Sequence, residues 1–195
     1  MKSDFNLHFN QRVAGVDDAE KLHRLVNSAY RGDSSKKGWT TEADLLGGQR
    51  VDVEGLREML VDPNKSVLVF EDKISGQIAA CVALDVSPEA TDGDESACYL
   101  GMLTVDPERQ TLGLGKKMMA YAESQTRSKG RSVIVISVIQ LRTELIAWYE
   151  RQGFQDTGKL KPFPYGDRRF GEPKREDLHF RVFRKALSPR ASGGA

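Results

Sequence analysis

Cysteine and histidine are scarce: the 195-residue chain has two cysteines, Cys81 and Cys98, and three histidines. The cysteines have no CxxC spacing and no histidines cluster beside them, which excludes a zinc ribbon and a disulfide framework. Both thiols lie in apolar, strand-like runs and are expected to be reduced core groups; no metal site is expected. A charge excess is also lacking, with 29 lysines and arginines against 28 acids. No global basic field exists to recruit a polyanion, so no nucleic-acid partner is expected. No apolar run approaches the roughly 20 residues that span a bilayer. After Met1, the segment Lys2-Ser3-Asp4-Phe5-Asn6 has no apolar leader core. The expectation is a cytoplasmic protein without a membrane partner.

What is present suits a folded domain. Hydrophobic residues make up 39% and charged residues 29%, too apolar for general disorder, and the length fits one domain with its own core. Residues 1–187 are expected to form it. Ser188-Pro189-Arg190-Ala191-Ser192-Gly193-Gly194-Ala195 has little to bury, so 188–195 is expected to be a disordered tail.

Periodicity predicts the elements. Phe5 to Val13 alternates as a first strand. Asp17 or Asp18 caps a helix carrying Leu22, Leu25, Val26 and Ala29 up to Tyr30. Arg31 to Thr40 is glycine-, serine- and charge-rich, a loop with Trp39 as an aromatic anchor. A short helix is expected around Glu42 to Leu46 and a better one from Val53 to Val61, ended by Asp62-Pro63-Asn64. Val67 to Phe70 and Ile78 to Leu84 read as a hairpin, and Ala97 to Val105 as a further strand. A helix from Gly113 to Lys129 ends at Gly130. Ser132 to Val138 is a β-branched strand, Leu141 to Arg151 an amphipathic helix, and Phe154 opens another strand. Pro162 to Asp177 reads as a long exposed loop and Leu178 to Lys185 as the last strand. This order predicts an α/β fold, a mixed sheet with helices on both faces.

Between the strand ending at Val105 and the helix lies Gln110-Thr111-Leu112-Gly113-Leu114-Gly115. A glycine turn feeding a helix presents unpaired amides and the positive end of the helix dipole, a seat for phosphates. A P-loop is excluded because Lys116-Lys117 is followed by no hydroxyl and no glycine stands five residues earlier. A dinucleotide GxGxxG fails at Met118. What remains is [QR]xxGx[GA], met by Gln110, Gly113 and Gly115. With Tyr99-Leu100-Gly101-Met102-Leu103-Thr104-Val105 before it and Ala147-Trp148-Tyr149-Glu150-Arg151-Gln152-Gly153-Phe154 after it, the chain resembles the GNAT (Gcn5-related N-acetyltransferase) superfamily.

The resemblance implies a mostly antiparallel sheet with a splayed pair of central strands, and acetyl-CoA (coenzyme A) as cofactor. Main-chain groups of Leu103, Thr104 and Val105 would hold the pantetheine arm. Gln110, Thr111, Leu112, Gly113, Leu114, Gly115 and Lys116 would form the pyrophosphate loop, with Gly113 and Gly115 allowing close approach. It makes Tyr149 the general acid toward the departing thiolate and a main-chain amide near Leu103 the carbonyl polariser. Two positions depart from the family. Tyr99 stands near where some members have a basic glutamate, leaving Glu42, Asp44, Glu95, Tyr99 or water as base candidates. Arg142 replaces an asparagine seven residues before Tyr149. The acceptor site would be built by Tyr30 to Arg50 and Pro162 to Asp177, with Tyr30, Trp39, Glu42 and Tyr99 as substrate-binding candidates for a small-molecule amine. A peptide or protein acceptor and a non-catalytic acyl-CoA-binding module are the alternatives, and exposed edge strands leave room for a homodimer.

Overall fold

The computed structural model describes residues 5, 7–38, 40–167 and 170–188. Its frame is a seven-stranded sheet in the order β1-β3-β4-β5-β6-β9-β7, formed by β1 (Phe9–Val13), β3 (Lys65–Asp72), β4 (Ile78–Asp85), β5 (Ala97–Val105), β6 (Val133–Ile139), β7 (Gln155–Pro162) and β9 (His179–Ala186). Every neighbouring pair is antiparallel except β5 and β6. A separate two-stranded piece joins β2 (Leu46–Gly47) to β8 (Glu172–Pro173).

The uninterrupted apolar run in β3 has a simple cause, since both faces of the sheet are covered. Leu68 and Phe70 join one core with Leu114, Met118 and Met119 of helix α5 (Leu114–Ser128) and Ile146 of helix α6 (Thr143–Arg151). Val67 and Val69 point the other way, into a core with Leu22 and Val26 of α1 (Ala19–Tyr30) and Leu56 of α3 (Val53–Val61). Asp52 caps α3 by accepting from the Gly55 amide at 2.6 Å. Short helices α2 (Gly32–Ser35) and α4 (Pro88–Thr91) complete the chain. Cys81 and Cys98 are free, buried thiols. Among the described residues no helix is long and apolar enough to cross a membrane, and no group of three or more acidic, cysteine or histidine side chains is placed to hold a metal.

Several local expectations differ from the structure. The first strand starts at Phe9, because Phe5, Leu7 and His8 take helical geometry. The expected helix at Glu42 to Leu46 is a single turn, with the Glu42 carbonyl accepting from Leu45 and Leu46 at 2.9 and 2.8 Å. It stops where Leu46 and Gly47 pair with β8 and Gly48 takes a left-handed φ of 71°. The loop after Tyr30 contains α2. The segment Pro162 to Asp177 is not uniformly exposed: Phe163 is buried with Leu46, Ile139 and Leu178 in a third small core. The Lys174 amide donates to the Leu45 carbonyl at 2.9 Å and its ammonium donates to the Ala43 carbonyl at 2.5 Å, so the two long connections are stitched together. Of the expected tail, Ser188 accepts from Arg127 Nε at 3.0 Å, while residues 189–195 lie outside the described residues.

Candidate active site

The sheet opens between β5 and β6. β5 and β6 pair only from Ala97–Tyr99 against Val133–Val135; beyond that the strands part. Opposite, the β4–β5 register slips, with Cys81 facing Thr104 but Ala83 facing Gly101. The extra residue on β5 bulges at Met102, whose φ of 54° is left-handed, a conformation costing a non-glycine residue about 1–2 kcal/mol. Its carbonyl is partly compensated by the Thr104 hydroxyl, donating at 3.0 Å. Between the parted strands lies a cavity of about 400 Å³ into which Leu103, Ile139, Tyr30, Glu42, Tyr99 and Tyr149 face.

A second cavity, about 540 Å³, sits at the glycine loop against Val105, Gln110, Gly113, Gly115, Lys116 and Trp148. Gly113 has φ of 70° and starts α5. The first ladder bond of that helix, from the Lys117 amide to the Gly113 carbonyl at 3.2 Å, leaves the amides of Leu114, Gly115 and Lys116 without intrahelical acceptors. A Cβ on Gly115 would stand 3.7 Å from the Trp148 ring and 3.8 Å from Val105, so any larger side chain must project into the cavity. Unpaired amides, a helix N-terminus, Lys116 and Arg151 on one wall make a donor set suited to phosphate.

Not every loop residue named from sequence presents its side chain here. Leu114 is buried in the core, Thr104 is fully buried, and Leu112 is exposed away from the cavity, so these offer main chain only. Leu103 faces the first cavity rather than the second. Thr111 is the second-last residue of the 3-10 turn Pro107–Leu112. Gln110 is an internal tie, its Nε2 donating to Thr40 Oγ1 at 3.0 Å and to the Val105 carbonyl at 3.3 Å. Trp148 is half-buried and packs on the core while walling the second cavity.

Helix α6 serves both cavities, with Tyr149 toward the first and Ala147 and Trp148 toward the second. The Tyr149 ring is held edge-on by Trp148 and Phe154, at centroid distances of 5.0 and 5.4 Å. Burial pushes its phenol far above the ordinary tyrosine range, so it stays protonated at neutral pH. Tyr30, on the last turn of α1, donates its hydroxyl to the Leu103 carbonyl at 2.5 Å. Burial raises its phenol too, against the pull of Arg142 and Arg50.

Glu42, a base and substrate-binding candidate from sequence, is buried and fully ion-paired. It is 8% exposed, and each oxygen is taken by a guanidinium: Oε2 by Arg31 at 2.6 Å and Oε1 by Arg142 at 2.7 Å. Burial opposes its ionisation, but Arg142, Arg50 and Arg31 outweigh that and hold the carboxyl below its usual range. A carboxylate so placed is a poor proton acceptor. Arg142 also donates to the Thr40 carbonyl at 2.6 Å, which answers the departure noted at that position: the side chain braces the loop that follows α2. Asp44 and Glu95 are exposed and belong to neither cavity. Trp39 lies outside the described residues. Arg31 and Arg50 carried no sequence signal, because they sit in aperiodic connections.

A family model described as acetyltransferase (GNAT) family matches residues 20–154. Among relatives, mycothiol acetyltransferase of Cellulomonas flavigena is 29% identical over 168 residues, 83% of this chain but 45% of that protein. Glucosamine 6-phosphate N-acetyltransferase of Trypanosoma brucei brucei is 26% identical over 60% of this chain and 77% of its own length. Two solved structures share the fold across 99% of their chains. Ribosomal-protein-alanine N-acetyltransferase of Brucella melitensis has a TM-score of 0.66 at 20% identity over 91% of this chain. The yncA structure of Salmonella typhimurium with its cofactor acetyl-CoA has 0.64 at 20% over 96%. At such identities the structural likeness is one of fold.

Proposed function

The chain belongs to the GNAT acetyltransferase family, and from that premise we propose that it transfers the acetyl group of acetyl-CoA to a primary amine of a small molecule. The observation that carries this reading is the pair of cavities on either side of α6, one lined by the glycine loop and the other by Tyr149 at the parting of β5 and β6. Acetyl-CoA supplies the activated thioester. The amides from Leu114 to Lys116, with Lys116 and Arg151, would hold its phosphates; main chain of Leu103 to Val105 would hold the arm between them.

With acetyl-CoA held there, the lone pair of a neutral amine would attack the thioester carbonyl, the carbon–sulfur bond would break, and the amine would give up a proton. Tyr149, whose hydroxyl lines the cavity and has no hydrogen-bond partner among the described residues, would give its proton to the leaving sulfur and regain one from solvent. A phenol that is neutral at working pH and lines the cavity can serve as a general acid. Because Glu42 is saturated by Arg31 and Arg142, the amine's proton leaves to water or through Tyr99 rather than to that carboxylate.

One feature favours a longer acceptor as a second reading. A groove of about 1120 Å³ shares Arg50, Asp85 and Phe170 with the first cavity, room for a peptide chain. Calorimetric titration with acetyl-CoA, beside Gly115→Trp, tests the cofactor site; thiol release with small amines and with peptides tests the acceptor. Binding lost in Gly115→Trp and turnover of small amines are expected. An absence of binding by folded wild-type protein overturns the proposal, and turnover confined to peptides replaces it with the second reading.

A further inference from the structure

Around Glu42, in the lining of the acceptor cavity, guanidinium groups outnumber carboxylates. Glu42 is shared by Arg31 and Arg142, and the guanidinium of a third arginine, Arg50, stands 5.7 Å from the centroid of the Tyr30 ring. Arg142 stands 5.8 Å from the same centroid. Three guanidinium groups thus gather around one carboxylate and one phenol ring.

Arg50 differs from the other two. Its side chain lines the cavity, is half-buried, and has no hydrogen bond or ion pair to any described residue. The remaining charges on the cavity wall are engaged or distant from it in role. Asp85 accepts from the Ser87 amide at 2.8 Å and lies 3.9 Å from Lys65. Lys161 pairs with Asp92 at 3.1 Å, and Glu89 is exposed on the rim.

We propose that the acceptor amine carries an anionic group, a carboxylate or a phosphate, and that Arg50 is the residue that binds it. This rests on the acetyl-transfer reading and narrows its substrate class. A planar guanidinium with free donors in a partly desolvated cavity is matched by the paired oxygens of either anion. A protonated amine seated beside Arg50 meets repulsion from a guanidinium that has no ion pair, whereas an amine that also carries an anion brings Arg50 a counter-charge. The same field disfavours the ammonium form close to Arg142, which helps supply the neutral nucleophile in a site whose one buried carboxylate is already committed.

The test uses matched acceptors with the full-length chain: α-amino acids against their carboxamides, and O-phosphoethanolamine against ethanolamine. The readout is kcat/KM from thiol release, in wild type, Arg50→Gln and Arg50→Lys, with folding of each checked by circular dichroism. Wild type is expected to prefer the anionic member of at least one pair by about tenfold or more, and Arg50→Gln to reduce that preference by about 10- to 100-fold. Arg50→Lys, which keeps charge without the fork, should retain part of it. The carboxylate and phosphate arms tell the two anions apart. Equal or greater turnover of the neutral members by wild type overturns the inference even if both variants misfold, as does a preference untouched in Arg50→Gln. Acetyl-CoA binding without acetylation of any anionic amine overturns it too, whereas a failure to bind acetyl-CoA strikes the acetyl-transfer reading itself.

Discussion

The Tyr30 hydroxyl donates to the Leu103 carbonyl oxygen across 2.5 Å, tying the end of α1 to β5 at the point where that strand has left β6. One bond thereby links the acceptor-side helix to the strand expected to carry the pantetheine arm. Tyr30→Phe keeps the ring and removes the donor. It should lower the unfolding free energy by about 1 kcal/mol, the usual net worth of one such bond. A urea melt with unchanged m-value and lowered midpoint checks it; an unmoved midpoint would mean that the carbonyl is satisfied equally well without Tyr30.

Glu42 is the buried counter-charge of Arg31 and Arg142, and its removal leaves two guanidinium groups unpaired in the interior. Glu42→Gln should cost about 3–5 kcal/mol at neutral pH. Since the carboxyl is held below its ordinary range, its stabilisation is full above the unfolded value of about 4.3 and is lost as pH falls through the lower folded value. The stability gap between wild type and Glu42→Gln should therefore close on acidification below about pH 4. Denaturation at a series of pH values measures this, and a gap independent of pH would rule out ionised Glu42 as its source.

The Tyr149 hydroxyl has no hydrogen-bond partner among the described residues, so Tyr149→Phe should leave the fold and acetyl-CoA affinity intact. Loss of the general acid should lower kcat by about 100-fold or more. Because burial raises the phenol, the wild-type rate should show no decline from Tyr149 ionisation up to about pH 10. Steady-state kinetics beside calorimetric titration separates the two effects. A wild-type kcat in Tyr149→Phe would remove the residue from the mechanism.

Both thiols are sealed from solvent, at 0% exposure each. Burial pushes the Cys81 thiol up to about 12 and raises Cys98 as well, so thiolate is scarce at either site. A chromogenic disulfide reagent at pH 8 should find no reactive thiol in the native protein and two after denaturation. Rapid native reaction would indicate that the sheet opens at β4 or β5.

Much of the fold was legible because it rests on local periodicity. The apolar runs of β3 and β4, the helical stripe of Leu114, Met118 and Met119, and the turn at Gly113 each record the backbone geometry of the residues that carry them. The pattern Gln110, Gly113, Gly115 likewise marked one wall of a cavity, since a strand-to-helix turn exposes amides whatever surrounds it. The misread pieces lie where local signals compete with distant partners. Glu42 to Leu46 looked helical by composition, yet β8, from a loop more than a hundred residues later, claims Leu46 and Gly47.

The chemistry of the acceptor cavity was decided only by tertiary structure. Glu42 meets Arg142 across a separation of 100 residues and Tyr30 meets Leu103 across 73. Sequence alone determined most of the strands and helices and where the glycine loop falls, because those depend on neighbours along the chain. Which charges end up buried together, which arginine of the cluster is left without an ion pair, and how far β5 parts from β6 depend on the paths of aperiodic connections. Those paths are fixed by packing and burial between elements far apart in sequence, and no local pattern encodes them.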